Sequence, residues 1–229
     1  MRVLAATRAL IAGRRGRIVA TLAAVLLLLA GTRVALAFGP VGTGLVAGPV
    51  TAVILVLLAR RAGLSWDDLG LARGAVRRGV RWAAIAGAVV TVVLLVGIAV
   101  PWVRSVFLDV RYQLDVASAL VTALLIVPLS TILLEEVAFR GVLFGFFRRR
   151  RTAWAFGVSS TLFGLWHLLP SPPGTGFEAL IPVVAITALL GLLLCELRRR
   201  SGSLLAAVGG HWAANGVGVL LAAMLWNWT

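Results

Sequence analysis

Two adjacent glutamates and an arginine stand inside an apolar stretch of the sequence, in the segment LLEEVAFRG at residues 133–141. Ionisable side chains are costly inside a bilayer, so they usually mark a site there. Along an α-helix, Glu136 and Arg140 are four residues apart and share a face, which allows them to pair. Glu135 lies about 140° around the helix from Arg140 and must face another partner. A buried carboxylate without a cation is suited to act as a general base or acid.

Both histidines of the chain also stand within apolar stretches. His167 follows Phe163 by one helical turn, and His211 precedes Asn215 by one turn, so each pair shares a helix face. Counted at 1.5 Å per residue from the nearest arginine cluster, Glu135 and the two histidines lie at overlapping depths of about 16–24 Å. Three separate helices therefore bring titratable side chains to one level, which a shared site requires.

These side chains fit the attack of water on a carbonyl group. Glu135 can take a proton from a water molecule that His167 orients. His211 and Asn215 can donate hydrogen bonds to the oxyanion that forms. In a second interpretation, Glu135, His167 and His211 hold Zn²⁺ with an open position for water. The residue pattern leaves both interpretations open, and it contains no phosphate-binding loop, serine elbow or HExxH helix.

The composition places these residues in a membrane protein. Of the 229 residues, 61% are hydrophobic and 13% are charged, whereas a soluble domain is only about half apolar. The net charge of +14 comes from arginines that cluster between apolar runs, a topology signal that argues against nucleic-acid binding. The single cysteine, Cys195, lies in an apolar stretch and is expected to be a buried, inert thiol.

Hydropathy predicts an all-α bundle of about seven to eight membrane spans, each close to the roughly 20 residues that cross a bilayer. The last predicted span could instead form two short helices. The spans are predicted at residues 18–37, 41–59, 82–101, 116–147, 153–169, 178–197 and 203–228. We divide the chain into an N-terminal transmembrane region with a cytoplasmic connector, residues 1–114, and a catalytic transmembrane region, residues 115–229.

The arginine clusters predict how the chain is oriented. If successive spans alternate in direction, every cluster falls on one side, which the positive-inside rule assigns to the cytoplasm. The N-terminus is then cytoplasmic and the C-terminus outside, with Trp226 and Trp228 at the interface. The first apolar run, which ends in ALA at residues 35–37, could also be a cleaved signal peptide. The clusters lie at residues 14–17, 60–61, 73–81, 148–151 and 198–200.

Three ordered motifs carry a family resemblance. EEVAFRG, FGLWH and HWAAN resemble the EExxxR, FxxxH and HxxxN motifs of the CPBP family, the CAAX-protease and bacteriocin-processing intramembrane proteases that include type II CAAX prenyl endopeptidases. The resemblance covers about residues 115–220. It implies an all-helical intramembrane endopeptidase with a site that opens toward the cytoplasmic side. By motif position, Glu135 and His167 activate water. His211 and Asn215 stabilise the oxyanion.

The resemblance also implies supporting roles and a substrate class. Glu136, Arg140 and Phe163 support the site structurally, and the family is commonly labelled as metalloproteases although its metal dependence is disputed. The expected partners are the lipid bilayer and a membrane-embedded or lipidated peptide, processed in a CAAX-type or bacteriocin-type reaction in a bacterial cytoplasmic membrane. No nucleic acid is expected, and the sequence gives no oligomeric state.

Two non-catalytic functions stay open at this point. The chain could be a membrane immunity or scaffold protein that retains the motifs without turnover. It could also be a proton-coupled transporter that uses Glu135 and the histidines as a relay. A matched pair of interrupted helices would indicate a transporter, and the sequence shows none.

Overall fold

The computed structural model of the protein describes residues 2–40, 42–168 and 176–228, with side chains described in these ranges from residue 16 onward, except at residue 177. Within these ranges, every regular element is helical. Short 3-10 turns at Arg73–Ala75 and Val110–Tyr112 join some of the helices. The helices are α1 (Arg2–Phe38), α2 (Thr43–Arg61), α3 (Trp66–Leu69), α4 (Val76–Ala99), α5 (Pro101–Phe107), α6 (Val116–Arg148), α7 (Thr152–Trp166), α8 (Phe177–Ser201) and α9 (Leu204–Trp226).

Six stretches of the described chain are long and apolar enough to cross a membrane: α1 from Gly16 onward, α2, Trp66–Ala99, α6, α8 and α9. The all-α, multi-span prediction is therefore confirmed, and the protein is an integral membrane protein. The count agrees roughly with the predicted seven to eight spans. The predicted span 153–169 corresponds to α7, which has 15 residues and is shorter than the roughly 20 residues of a full crossing. The predicted span 203–228 is one continuous helix, α9.

Helix α6 contains three π-helical stretches, Thr122–Ile126, Pro128–Ile132 and Glu136–Leu143. The second begins at Pro128, which has no N–H to donate to the helical ladder. π-helical turns are rare and often lie at functional sites. The third begins at Glu136, directly after an α-helical turn that ends at Glu135, so the helix changes its geometry between the two glutamates.

Helix α2 packs closely against α6. A side-chain carbon at Gly48 would lie 2.6 Å from the carbonyl oxygen of Leu129, and one at Gly44 would lie 2.7 Å from Cβ of Ser130. Glycine permits this approach, which is the usual role of small residues between membrane helices. Because α2 belongs to the predicted region 1–114 and α6 to the predicted region 115–229, the two regions share a packed interface. Their boundary stays a prediction.

The main hydrophobic core lies between α1, α2, α6 and α7. It includes Leu55, Leu134, Phe139 and Phe163, all of which are buried. The ring of Phe139 packs edge-on against Phe163 at 5.3 Å and against Trp166 at 5.9 Å between ring centres. Aromatic pairs in this geometry add to the stability gained by burial. The core therefore fixes the part of α7 that precedes His167.

Described arginine side chains from several clusters meet around α3, at what we call the arginine end of the bundle. Asp68 accepts a hydrogen bond from Arg149 and lies 3.5 Å from Arg148. The buried Arg198 donates to the carbonyl oxygens of Asp67 and Asp68 at 2.8 and 2.9 Å. Clusters that are far apart in the sequence thus share one end, as alternating spans require.

The other end of the bundle, which we call the opposite end, is formed around residues 100–115. Here Asp109 pairs with Arg111 at 2.6 Å, and the indole N–H of Trp226 donates to the carbonyl oxygen of Asp109. Arg111 holds the pKa of Asp109 at about 2, below its usual value. Trp102 and Trp228 are exposed, as is typical of tryptophans at a membrane interface. The orientation of the two ends in a membrane stays a prediction.

Candidate active site

Glu136 and Arg140 form a fully buried ion pair in the middle of the bundle. Nη1 of Arg140 lies 2.8 Å from Oε1 of Glu136, so the predicted pairing is confirmed. Nδ1 of His211 lies 2.8 Å from the same carboxylate oxygen. The ring of Phe163 lies 3.9 Å from the guanidinium carbon of Arg140, which is a cation–π contact. The ion pair joins two residues of α6, and it also contacts Phe163 of α7 and His211 of α9.

Glu135 faces a different set of partners. Its Oε1 accepts a hydrogen bond from Nε1 of Trp166 at 2.8 Å. Its Oε2 has no hydrogen-bond partner in the described part of the chain and lies 3.7 Å from Nε2 of His211. The residue is only 4% exposed. Because a buried carboxylate oxygen without a donor is costly, Oε2 is the oxygen suited to receive a proton or to bind water.

His211 lies between the two glutamates. Its Nδ1 faces the carboxylate of Glu136, an acceptor, so we assign the ring proton to Nδ1. Its Nε2 faces Glu135 and lies 3.3 Å from Nδ2 of Asn215. The predicted neighbours on α9 are thus in contact, and their polar atoms lie beside the free oxygen of Glu135.

His167 directly follows α7, where Phe163 holds it. Its Nδ1 lies 2.8 Å from the carbonyl oxygen of Phe163, so Nδ1 is the donor and Nε2 is left as an acceptor. The ring of Phe163 packs edge-on against His167 at 4.8 Å and against His211 at 5.7 Å. His167 is close enough to Glu135 for an electrostatic interaction. One phenyl ring thus orients both histidines of the site.

Two further residues at the site, Trp166 and Arg33, are absent from the sequence-based set. Trp166 donates to Glu135, as described above. The guanidinium carbon of Arg33 in α1 lies 5.1 Å from the ring centre of Trp166, and Arg33 interacts electrostatically with Glu135. The sequence does signal Arg33, because it is an ionisable residue inside an apolar run. Trp166 carries no comparable signal, since its spacing equally fits a tryptophan that faces lipid.

The described residues do not form a recognisable metal site. In the part of the chain that the structure describes, no group of three or more His, Cys, Asp and Glu side chains is placed to hold a metal ion. Both ring nitrogens of His211 face protein groups, and Nδ1 of His167 faces a carbonyl oxygen. A zinc site needs its donors to converge on one point. The zinc interpretation, with Glu135, His167 and His211 as ligands, therefore gains no support from this geometry.

The residues of the site differ in their exposure. Glu136 and Arg140 are completely buried, whereas His167 and Asn215 are partly exposed. Asn215 lines a cavity of about 420 Å³ that reaches Tyr112 at the opposite end. The cytoplasmic opening that the CPBP resemblance implies stays a prediction.

The comparisons with known proteins agree with the three motifs. The model of the family described as type II CAAX prenyl endopeptidase Rce1-like matches residues 117–217. The chain carries an Rce1-like region. The predicted family resemblance is thereby confirmed, and the Rce1-like region contains Glu135, His167, His211 and Asn215. Arg33 lies outside it. Comparison with curated proteins and with solved structures gave no match.

Proposed function

We propose that the protein is an intramembrane endopeptidase that hydrolyses membrane-embedded or lipidated peptides with water activated by Glu135. The observation that carries this proposal is the free Oε2 atom of Glu135. It is buried, it lies beside His211 and Asn215, and it belongs to an Rce1-like region, whose family name describes endopeptidases. General bases commonly have this environment, in which a carboxylate is held in place but not neutralised by a bound cation.

The first step of the reaction is the attack of water on the scissile carbonyl. Trp166 holds Oε1 of Glu135, so Oε2 takes the proton while the water oxygen bonds to the carbonyl carbon. Nε2 of His167 accepts a hydrogen bond from the same water and orients it. The second step breaks the carbon–nitrogen bond, and the proton on Glu135 passes to the leaving amine. Water is thereby divided between the two peptide products.

The negative charge on the carbonyl oxygen needs donors during the first step. The Asn215 side-chain amide supplies one N–H. His211 supplies a second from Nε2 when its ring is protonated, and the adjacent carboxylate of Glu136 stabilises the positive charge of that ring. Arg140 in turn neutralises Glu136 and fixes its position. In this proposal Glu136 and Arg140 position His211 and do not contact the substrate.

We place the protein in a bacterial cytoplasmic membrane, with the arginine end in the cytoplasm. The support is the positive-inside rule and the contacts that bring arginines 148, 149 and 198 together around α3. The N-terminus then lies inside and the C-terminus outside.

The experiment that tests the proposed function compares peptide termini in membranes. Cells carry the wild-type protein, Glu135→Gln, Glu196→Gln or no protein, and new termini are identified by mass spectrometry. Glu196 is a matched control, because it is a partly exposed glutamate on α8 that pairs with Arg199 and Arg200 outside the site. We expect the same new termini with the wild type and Glu196→Gln, and none with Glu135→Gln.

Three other outcomes of this experiment would contradict the proposed function. If well-expressed Glu135→Gln protein yields the same termini as the wild type, Glu135 is not the base. If no termini depend on the wild type, an immunity or scaffold role is favoured over proteolysis. A proton-coupled flux that Glu135→Gln abolishes, without any change in termini, would support the transporter.

A further inference from the structure

Arg33 is an ionisable residue inside the membrane-spanning part of α1, which runs from Gly16 to Phe38. Charged residues inside a span are costly, so they usually have a functional partner. Arg33 lies about 7–8 Å from the end of α1, close enough for an arginine side chain to reach the headgroup region. Its Nε atom is instead buried and has no hydrogen-bond partner in the described part of the chain. Anchoring at the membrane surface therefore does not account for this arginine.

The packing of α1 fixes the direction of the Arg33 side chain. Val25, Leu29 and Thr32 are buried, and their spacing places them on one face of the helix. The hydroxyl oxygen of Thr32 lies 3.0 Å from that of Thr51 in α2. Because Arg33 follows Thr32, its side chain leaves the helix about 100° further round. This direction leads to α7.

The side chain of Arg33 lines an apolar cavity of about 270 Å³ between α1, α6 and α7. Its guanidinium carbon lies 5.1 Å from the ring centre of Trp166, which is a cation–π contact. No acidic side chain among the described residues lines this cavity. Arg33 interacts electrostatically with Glu135 and His167. The positive charge of Arg33 is therefore compensated from the active site.

Trp166 connects Arg33 to the carboxylate of the proposed base. The guanidinium lies over its ring, and its N–H donates to Oε1 of Glu135 at 2.8 Å. A cation over the face of an indole draws electron density from the ring, so the N–H becomes a stronger donor. The same contact restrains the side chain of Trp166. Arg33 can therefore influence both carboxylate oxygens of Glu135 without a hydrogen bond to either.

We infer that Arg33 is a positioning residue of the active site, which fixes the indole of Trp166 and, through it, the carboxylate of Glu135. The inference rests on the proposed function and extends the catalytic unit to α1, which precedes the Rce1-like region at residues 117–217. That region alone holds the reacting groups but lacks the residue that positions the base. Helix α1 must also stay in the mature enzyme, because cleavage after the ALA at residues 35–37 would separate Arg33 from the site.

The contact itself is tested by fluorine NMR of the purified protein labelled with fluorotryptophan, which needs no substrate. The signal of Trp166 is the one that is missing from Trp166→Phe, and Arg33→Gln should displace it. Arg60→Gln is the matched control, because Arg60 stacks on Trp66 at 4.6 Å at the arginine end. This control should displace the signal of Trp66 and leave that of Trp166 in place. An unchanged Trp166 signal in Arg33→Gln would overturn the inference.

The role in the reaction is tested by a double-mutant cycle with Trp166. The substrate is the peptide that the wild-type-dependent termini identify. Arg33→Gln should lower kcat about fivefold and leave KM and the melting temperature nearly unchanged, because it removes an unpaired charge that does not contact the substrate. In Trp166→Phe, which lacks the N–H, Arg33→Gln should lower kcat by less than about twofold further. Losses that multiply, or a change confined to KM, would overturn the inference.

The length of the mature chain gives a further test. Intact-mass spectrometry of the active protein purified from membranes should show that Arg33 is retained. An active protein that begins after Ala37 would overturn the inference.

Failure of this inference can be told apart from failure of the proposed function. If Glu135→Gln and the wild type give the same membrane termini, the endopeptidase assignment is rejected, and the positioning role is rejected with it. If Glu135→Gln abolishes the termini while Arg33→Gln changes neither the Trp166 signal nor kcat, the endopeptidase assignment stands and Arg33 is not part of the site.

Discussion

Glu135 and Glu136 are neighbours in the sequence and lie in two different environments. Glu136 is paired with Arg140, contacts His211 and is completely buried. Glu135 receives one hydrogen bond from Trp166 and keeps Oε2 free, at the level where His167 and Asn215 are partly exposed. We call these the paired level and the free level of the site.

Because of this difference, we expect the paired level to affect the stability of the protein and the free level to affect the reaction. A buried ion pair is costly to form and still more costly to break, since removal of one partner leaves an uncompensated charge. The paired level should therefore control whether the protein folds. The free level has little charge compensation to lose, so a change there should affect the reaction and leave the fold intact.

The largest effect is expected at the free level. Glu135→Gln keeps the shape of the side chain but removes the base, so kcat should fall by about 10³-fold, within the range for loss of general base catalysis. The melting temperature of the purified protein should change by less than about 2 °C, because the amide oxygen still accepts from Trp166 and no arginine of the described residues forms a direct ion pair with Glu135. The measurements are cleavage of an identified substrate and thermal unfolding. Activity close to that of the wild type would remove the distinction between the two levels.

A large loss of stability is expected at the paired level. Arg140→Met keeps the length of the side chain but leaves Glu136 charged and unpaired, which should lower the free energy of unfolding by about 3–5 kcal/mol. Unfolding by a denaturing detergent measures this loss. The double variant Glu136→Gln with Arg140→Met should recover part of it, because neither charge is left in the interior. A double variant less stable than Arg140→Met would show that pairing is not the cause.

A smaller effect is expected from the residue that holds Glu135. Trp166→Phe keeps an aromatic ring and removes the N–H that donates to Oε1. One hydrogen bond to a charged group contributes about 1.5–3 kcal/mol, so kcat should fall by at least about tenfold. KM should change by less than about twofold if Trp166 only positions the base. A change confined to KM would instead place Trp166 in contact with the substrate.

The smallest effect is expected at an ion pair outside both levels. Asp109→Asn removes the partner of Arg111, whose side chain is 77% exposed, and exposed pairs contribute little to stability. The melting temperature at pH 7 should shift by less than about 1 °C. Because the pKa of Asp109 is lowered to about 2, the contribution of the pair is fully present above about pH 4 and is lost as the pH falls toward 2. A melting curve at pH 7 and at pH 3 checks both statements.

Helical periodicity predicted much of the site, because it depends on residues within one helix. The pairing of Glu136 with Arg140, the contact between His211 and Asn215, and that between Phe163 and His167 all follow from a spacing of four residues.

Contacts between helices could not be derived in this way. The hydrogen bond from Trp166 to Glu135 and the stacking of Arg33 on Trp166 depend on how three helices pack. The end of one predicted span could not be derived for a related reason. Hydropathy identifies the apolar run at 153–169, but the length of α7 depends on where the helix ends, at Trp166.

The π-helical stretches of α6 have a consequence for insertions and deletions. Because a π turn holds one residue more than an α turn, removal of one residue between Pro128 and Ile132 would convert that stretch to an ordinary α-helix and leave the segments on either side in nearly the same orientation. Both glutamates and Arg140 would then still face α7 and α9. The same removal within the α-helical turns Val116–Val121 would instead turn everything after it by about 100°, so the π-helical stretch should accept the loss of one residue better than the α-helical turns before it.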